Sequence, residues 1–167
     1  MAIRSVQQQD ILNSAPTEAG AAGQTEAKSA DTLTALPPDI LMAVLAAQEK
    51  KAEDLRIFDL RNVTSLTEYF IICSGSNQRQ NQAISDEIYR VLKEKHHRPP
   101  LGVEGYDKAD WILMDYGDFI VHVLSAQARK YYDLERLWRQ AKECPVPDDV
   151  SAQVAAVPAE VDVKSSN

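Results

Sequence analysis

The sequence predicts an α/β (α+β) fold, a single domain whose mixed sheet of four or five strands is flanked by about three helices. Three observations carry that prediction. All eleven aromatic residues fall between Phe58 and Trp138, so the side chains that bury most surface are confined to the middle of the chain. Within that stretch some segments repeat apolar residues at helical spacing and others carry short apolar runs of strand length. The segments follow one another as helix, two strands, helix, two or three strands, helix, an order that asks for helices packed on a mixed sheet.

Each element has its own signal. Pro37-Pro38-Asp39 opens the first helix, because proline is tolerated in a first turn and an acid suits the positive helix end. Ile40, Leu41, Val44 and Leu45 then recur at helical spacing to about Ala52. In LRIFDL, Leu55, Ile57 and Asp59 alternate with Arg56, Phe58 and Leu60, as in a strand at least partly covered on both faces. Tyr69 to Cys73, YFIIC, reads as a second and more buried strand. Ser74-Gly75-Ser76-Asn77 turns the chain into a capped helix. That helix runs to about Lys95 with Ile84, Ile88, Val91 and Leu92 on one side, and His96, His97, Arg98, Pro99 and Pro100 end it. LGVEG is a short strand or edge segment. WILM and FIVHVL, joined by Asp115-Tyr116-Gly117-Asp118, form a hairpin with glycine in its turn. Ser125 caps a last helix, on which Tyr131, Leu134, Trp138 and Ala141 are expected to share a face.

Composition sets the boundaries. Residues 1–36 and 145–167 contain no aromatic residue; the first stretch is rich in Ala, Thr, Gln, Ser and Gly, the last in Ala, Val, Pro, Ser and acid. Such segments bury too little apolar surface to offset their ordering entropy, so both are expected to be mobile tails around a domain spanning 37–144. The formal charge of −7 is spread as −2, −2 and −3 over the first tail, the domain and the second tail. A protein held on RNA by a general basic surface is thereby disfavoured, and a partner reached through specific contacts, such as a basic protein, fits better. No apolar run reaches the roughly 20 residues of a membrane helix. The start, MAIRSVQQQD, has neither an apolar signal core nor the acid-poor character of a transit peptide, so the cytoplasm is the expected compartment. Cys73 and Cys144 form no CxxC pair, and Cys73 reads as a small buried side chain.

Period-two alternation puts Trp111, Leu113 and Asp115 on one face of their strand and Ile112 and Met114 on the other. Trp111 can be core, or, if the helices cover mainly one face of the sheet, the anchor of an interface. Glu104, Asp115 and Asp118 can supply acceptors to Lys or Arg of a basic partner, and Asp118 can equally serve the hairpin turn. Tyr116, at the hairpin tip, is either a second aromatic contact or surface packing. Gly105 and Gly117 read as structural, His122 as a hydrogen-bonded sheet histidine, and Arg129 and Tyr132 as braces of the fold.

Catalysis finds little support. Ser74-Gly75-Ser76 sits where a strand-to-helix loop could hold phosphate, but phosphoryl chemistry also needs paired carboxylates for metal ions. Asp115 and Asp118 are three apart across a turn, and no DxD or DxE lies on an expected strand. His96 and His97 are adjacent and have no third ligand nearby. No Walker loop, G-x-S-x-G, H-E-x-x-H or supported Cys/His pair occurs.

Three segments together, DLRNVTSLTEYFIICSGSNQRQNQAISDEI, GVEGYDKADWILMDYGDFIVHV and RKYYDLERLW, resemble the Iojap family of ribosomal silencing factors. The likeness covers roughly residues 37–143, and its weight lies in the order and spacing of the segments. It implies a nucleotidyltransferase-like domain without catalytic acids, no cofactor and no enzymatic activity. The implied partner is the large ribosomal subunit, chiefly its universal ribosomal protein numbered fourteen. Covering that protein blocks joining of the small subunit and represses translation under nutrient limitation. Little direct nucleic-acid contact and no membrane contact are implied, and a homodimer is admitted for the free protein. The implied interface is Glu104, Trp111, Leu113, Asp115, Tyr116 and Asp118. A large-subunit assembly factor and a divergent nucleotidyltransferase using Gly75 and Ser76 are the alternatives.

Overall fold

The computed structural model describes residues 5–16 and 36–147. Its first element is not the one the composition leads one to expect. Residues 5–16 lie in the segment anticipated as a mobile tail, yet they form α1 (Gln8–Asn13), with Ile11 wholly buried. Six helical residues are too few to be stable alone in water, so this helix depends on what it docks against. The remaining residues of the two anticipated tails lie outside the described ones.

α2 (Pro38–Glu49) starts at the expected prolines and carries buried residues on most of its circumference, from Ile40 to Ala47. β1 (Glu53–Asp59) is irregular between Glu53 and Arg56, where Asp54 has φ 46°. β2 (Tyr69–Gly75) is buried at every position. α3 (Gln78–His96) is capped by the Asn77 side chain, which accepts from the Gln80 N–H at 2.8 Å. His97 at φ 52° ends it, as expected from the basic and proline-rich run there. β3 (Gly102–Glu104), β4 (Trp111–Asp115) and β5 (Phe119–Ser125) follow, and then α4 (Ala126–Tyr132), α5 (Leu134–Leu137) and β6 (Lys142–Cys144).

The strands form one mixed sheet of six in the order β3-β4-β5-β2-β1-β6. β2 and β5 run parallel in the centre and every other pair is antiparallel. The strand beyond the four or five expected is β6, three residues that pair with the outer side of β1. KEC is too short and too polar to register as a periodic signal.

Helices lie on both faces. One core packs α2 and α3 onto Ile57, Ile71, Cys73, Ile112, Met114, Val121 and Val123. The other gathers Phe58, Phe70, Ile72, Trp111, Leu113, Ile120 and Leu124 under Ile11, Ala128, Leu134 and Trp138. The expected single last helix is broken. Asp133 adopts φ 49°, a left-handed conformation that aspartate tolerates, and it separates α4 from α5. The break leaves Leu134, Trp138 and Ala141 buried but turns Tyr131 outward, 80% exposed, so Tyr131 does not share their face.

A candidate partner-binding face

Register assembles the candidate residues. β3 pairs with β4 so that Glu104 faces Leu113 and Gly102 faces Asp115. β4 pairs with β5 so that Leu113 faces His122 and Trp111 faces Leu124. Directly paired residues point to the same side of a sheet. Glu104, Trp111, Leu113 and Asp115 therefore share the face opposite α2 and α3, at the β3 end of the sheet. The expected alternation along β4 holds, with Trp111 and Leu113 in one core and Ile112 and Met114 in the other.

Two candidates lie elsewhere. Tyr116 belongs to the α2–α3 side, buried and stacked on Phe119 with ring centroids 4.8 Å apart. It is core and not a tip aromatic, because the loop after Asp115 folds back: the Tyr116 N–H donates to the Phe119 carbonyl at 2.9 Å. Burial pushes its phenol well above the ordinary tyrosine range. Asp118 serves the fold. Its carbonyl accepts from the Glu68 and Tyr69 N–H groups, and its carboxylate pairs with Arg98. Arg98 also pairs with Asp39 on α2 and donates to the Tyr116 carbonyl at 2.7 Å. The sequence gives no hint of that bridge, since Arg98 meets Asp39 from one direction along the chain and the Tyr116–Asp118 loop from the other, 59 and about 20 residues away.

The shared face is not open. Trp111 is 4% exposed and Leu113 not at all. The Trp111 ring lies 4.7 Å from that of Tyr132, and its indole N–H donates to His122 Nδ1 at 3.0 Å. The condition under which an exposed tryptophan was expected, helices mainly on one side, is not met.

Residues 5–16 complete the cover. The Val6 N–H donates to Asp115 Oδ2 at 2.6 Å, and the Gln8 N–H to Glu104 Oε2 at 2.8 Å. The Gln8 side-chain amide donates to the Trp111 carbonyl at 2.6 Å. Gly105, at φ +82°, makes the room, because a Cβ there would lie 2.7 Å from that Gln8 nitrogen and 2.1 Å from the Trp111 carbonyl oxygen. The other Asp115 oxygen accepts from the Gly117 N–H at 2.8 Å. Both acids expected to receive a partner's donors on this face thus receive backbone N–H groups of the chain itself. Sequence reading missed this segment. Its signal is faint: Val6, Ile11 and Leu12 among polar residues, with Asp10 accepting from the Gln7 N–H at 2.9 Å in the manner of a capping box.

The Ser74-Gly75-Ser76 loop is closed on itself. The Gly75 N–H donates to Asn81 Oδ1 at 2.9 Å and the Ser76 N–H to Gln80 Oε1 at 2.7 Å. Amides that would otherwise be free to bind phosphate are used by side chains of α3. Cys73 is wholly buried, and burial pushes its thiol up to about 12, so it is inert at neutral pH. His96 pairs with Asp39, and no group of three metal-binding side chains forms among the described residues.

The family model "Ribosomal silencing factor during starvation" matches residues 34–167. The chain is 38% identical over 100 residues to ribosomal silencing factor RsfS of Halalkalibacterium halodurans, covering 60% of this chain and 85% of that one. It is 31% identical over 120 residues to the mouse protein named for mitochondrial assembly of the ribosomal large subunit, covering 71% of this chain and 51% of that one. The crystal structure of a Chromobacterium violaceum protein superposes with a TM-score of 0.59 at 30% identity, covering 71% of this chain and 96% of that one. Residues 5–16 lie outside the stretch that the family model matches.

Proposed function

This chain belongs to the ribosomal silencing factor family, and on that premise we propose that it binds the large ribosomal subunit through the universal protein numbered fourteen and sterically blocks subunit joining. The observation that carries the proposal is the shared face of β3 and β4. Trp111 and Leu113 give it an apolar centre, and Glu104 and Asp115 flank them with acceptors already engaged by peptide N–H groups. An apolar centre with a polar rim is the ordinary anatomy of a protein interface, and an acidic rim suits a basic ribosomal protein. Tyr116 and Asp118 act behind this face, holding the hairpin that presents it.

The reading needs no catalysis and no cofactor. The occupied amides of Gly75 and Ser76 support a loop kept for its turn and not for phosphate. Action on bacterial-type ribosomes puts the protein in the cytoplasm, and no described helix is long and apolar enough to cross a membrane.

The test is co-sedimentation of the purified protein with separated large and small subunits, followed by a joining assay. Selective binding to the large subunit with loss of joined particles is the expected result. Binding to neither subunit overturns the proposal. The name of the mouse relative favours a second reading, in which the same surface serves large-subunit assembly. Under that reading the protein binds without affecting joining, and its deletion accumulates large-subunit precursors.

A further inference from the structure

We infer that residues 5–16 are an internal occupant of the partner-binding face, so that the chain competes with the ribosome for its own Glu104–Trp111–Leu113–Asp115 surface. The inference rests on the function proposed above. What it adds is that the free protein is closed, that release of this segment precedes binding, and that the segment shows what the face accepts.

Three features point to an occupant rather than an integral part of the domain. The segment adds no strand to the sheet and lies outside the family match, which begins at residue 34. Its polar contacts fall on the two acids a partner's donors would need, the Asp115 and Glu104 carboxylates, and on the backbone carbonyl of Trp111 between them. Its packing is also partial. Ile11 is wholly buried, whereas Leu12, Ala15 and Pro16 stand across from Tyr132 and Leu137 in a cleft of about 1050 Å³.

The segment describes the ligand this face takes. It is a short helical turn with an aliphatic side chain for the Trp111–Leu113 cluster, two peptide N–H groups for Asp115 and Glu104, and an amide-type donor for the Trp111 carbonyl. A loop or helix start on a basic ribosomal protein can present the same set, with Lys or Arg in place of the neutral donors. A closed state in front of the binding step lowers apparent affinity by the fraction of molecules that are open.

The test uses the full chain in two variants. Ile11→Asp puts a charge where the segment must bury an aliphatic group, and is expected to tighten large-subunit binding about tenfold by raising the open fraction. A reversible tether gives the opposite control. A Cβ at Gly102 would lie 2.9 Å from Ser5 Cβ, closer than the roughly 3.5–4.5 Å of a disulfide, so a small retreat of the segment end lets Ser5→Cys and Gly102→Cys bond. The oxidised tether is expected to abolish subunit binding and reduction to restore it. Equal binding by the oxidised and reduced tether, or weaker binding by Ile11→Asp, overturns the inference while leaving the proposed function standing. Absence of binding by the unaltered chain, Ile11→Asp and the reduced tether alike overturns both.

Discussion

The indole N–H of Trp111 and Nδ1 of His122 meet at 3.0 Å across the β4–β5 pair, inside the core. For Nδ1 to accept, the ring proton must sit on Nε2, which has no partner among the described residues. A second proton would bring an unpaired charge into a site walled by Phe70, whose ring stands edge-on at 4.6 Å. Burial accordingly pushes the imidazole down to about 3.

A pH dependence follows, and its sign is fixed. Between about 3 and the ordinary histidine value near 6.5, the unfolded chain binds a proton that the folded chain refuses. Stability from this group is therefore complete above about 6.5 and is lost as pH falls, by about 1.4 kcal/mol per pH unit. Urea unfolding at pH 7, 6 and 5 checks it. The unaltered chain should lose more stability over that range than His122→Gln, whose carbonyl can still accept from Trp111. Equal slopes would show that His122 is not the group that titrates.

Glu104 offers a cleaner probe of the proposed interface than Trp111. A Trp111→Glu substitution buries a charge in the second core and would unfold the domain as readily as it would stop binding. Glu104 is only half-buried, on the edge strand. Glu104→Lys removes an acceptor and puts a like charge before the basic partner proposed above. Large-subunit binding should weaken by tenfold or more, read by co-sedimentation across a salt series, with the melting temperature little changed.

Two glycines at positive φ should respond differently to alanine. At Gly105 the new Cβ meets the Trp111 carbonyl oxygen at 2.1 Å, and at Gly117 the nearest atom is Leu101 Cδ1 at 3.4 Å. Gly117→Ala therefore costs only left-handed strain, about 1 kcal/mol. Gly105→Ala must also move β4 or β3, and a loss of about 3 kcal/mol is expected. Thermal denaturation of the two variants side by side measures the difference.

Arg98 joins the end of α3 to α2 and to the β4–β5 loop through Asp39, Asp118 and the Tyr116 carbonyl. The site is partly buried, so loss of the guanidinium leaves acceptors that water reaches only in part. Arg98→Ala should cost about 2 kcal/mol and loosen the hairpin, seen as faster amide exchange at Tyr116. Arg98→Lys should recover little, because one ammonium cannot reproduce the forked contacts.

What could be read from the sequence, and what could not, divides along a physical line. β2, α3, the β4–β5 hairpin and the start of α4 were legible because each carries its own period, cap or turn residue, Asn77 capping α3 and Ser125 capping α4. The alternation along β4 was legible for the same reason, and it put Trp111, Leu113 and Asp115 on one face. Tyr116 was misread because period two stops at the strand end, where loop geometry takes over. The docked segment was invisible because its stability is almost wholly tertiary. Val6, Ile11 and Leu12 have no periodic context, and the acids that hold the segment lie about a hundred residues away in sequence. Arg98 belongs to the same class, a residue that acts only once two separate segments, Asp39 on α2 and the Tyr116–Asp118 loop, have been brought to it.

Asn81 provides the last prediction, because it decides what the Ser74-Gly75-Ser76 loop is for. Its side chain is wholly buried, accepting from the Gly75 N–H at 2.9 Å and donating to the Ala109 carbonyl at 2.7 Å. It thus ties the end of β2 to the residues just before β4. Asn81→Ala leaves one buried donor and one buried acceptor unmet, and should destabilise the domain by about 2–4 kcal/mol. If the loop is structural, magnesium with ATP or GTP at millimolar concentration should leave the melting temperature of the unaltered chain unchanged. A ligand bound to the folded state at a hundred times its Kd would add about 2.7 kcal/mol, well above the detection limit of such a scan. A nucleotide-dependent rise would mean that the amides of Gly75 and Ser76 exchange Asn81 and Gln80 for phosphate, and the enzymatic alternative would return.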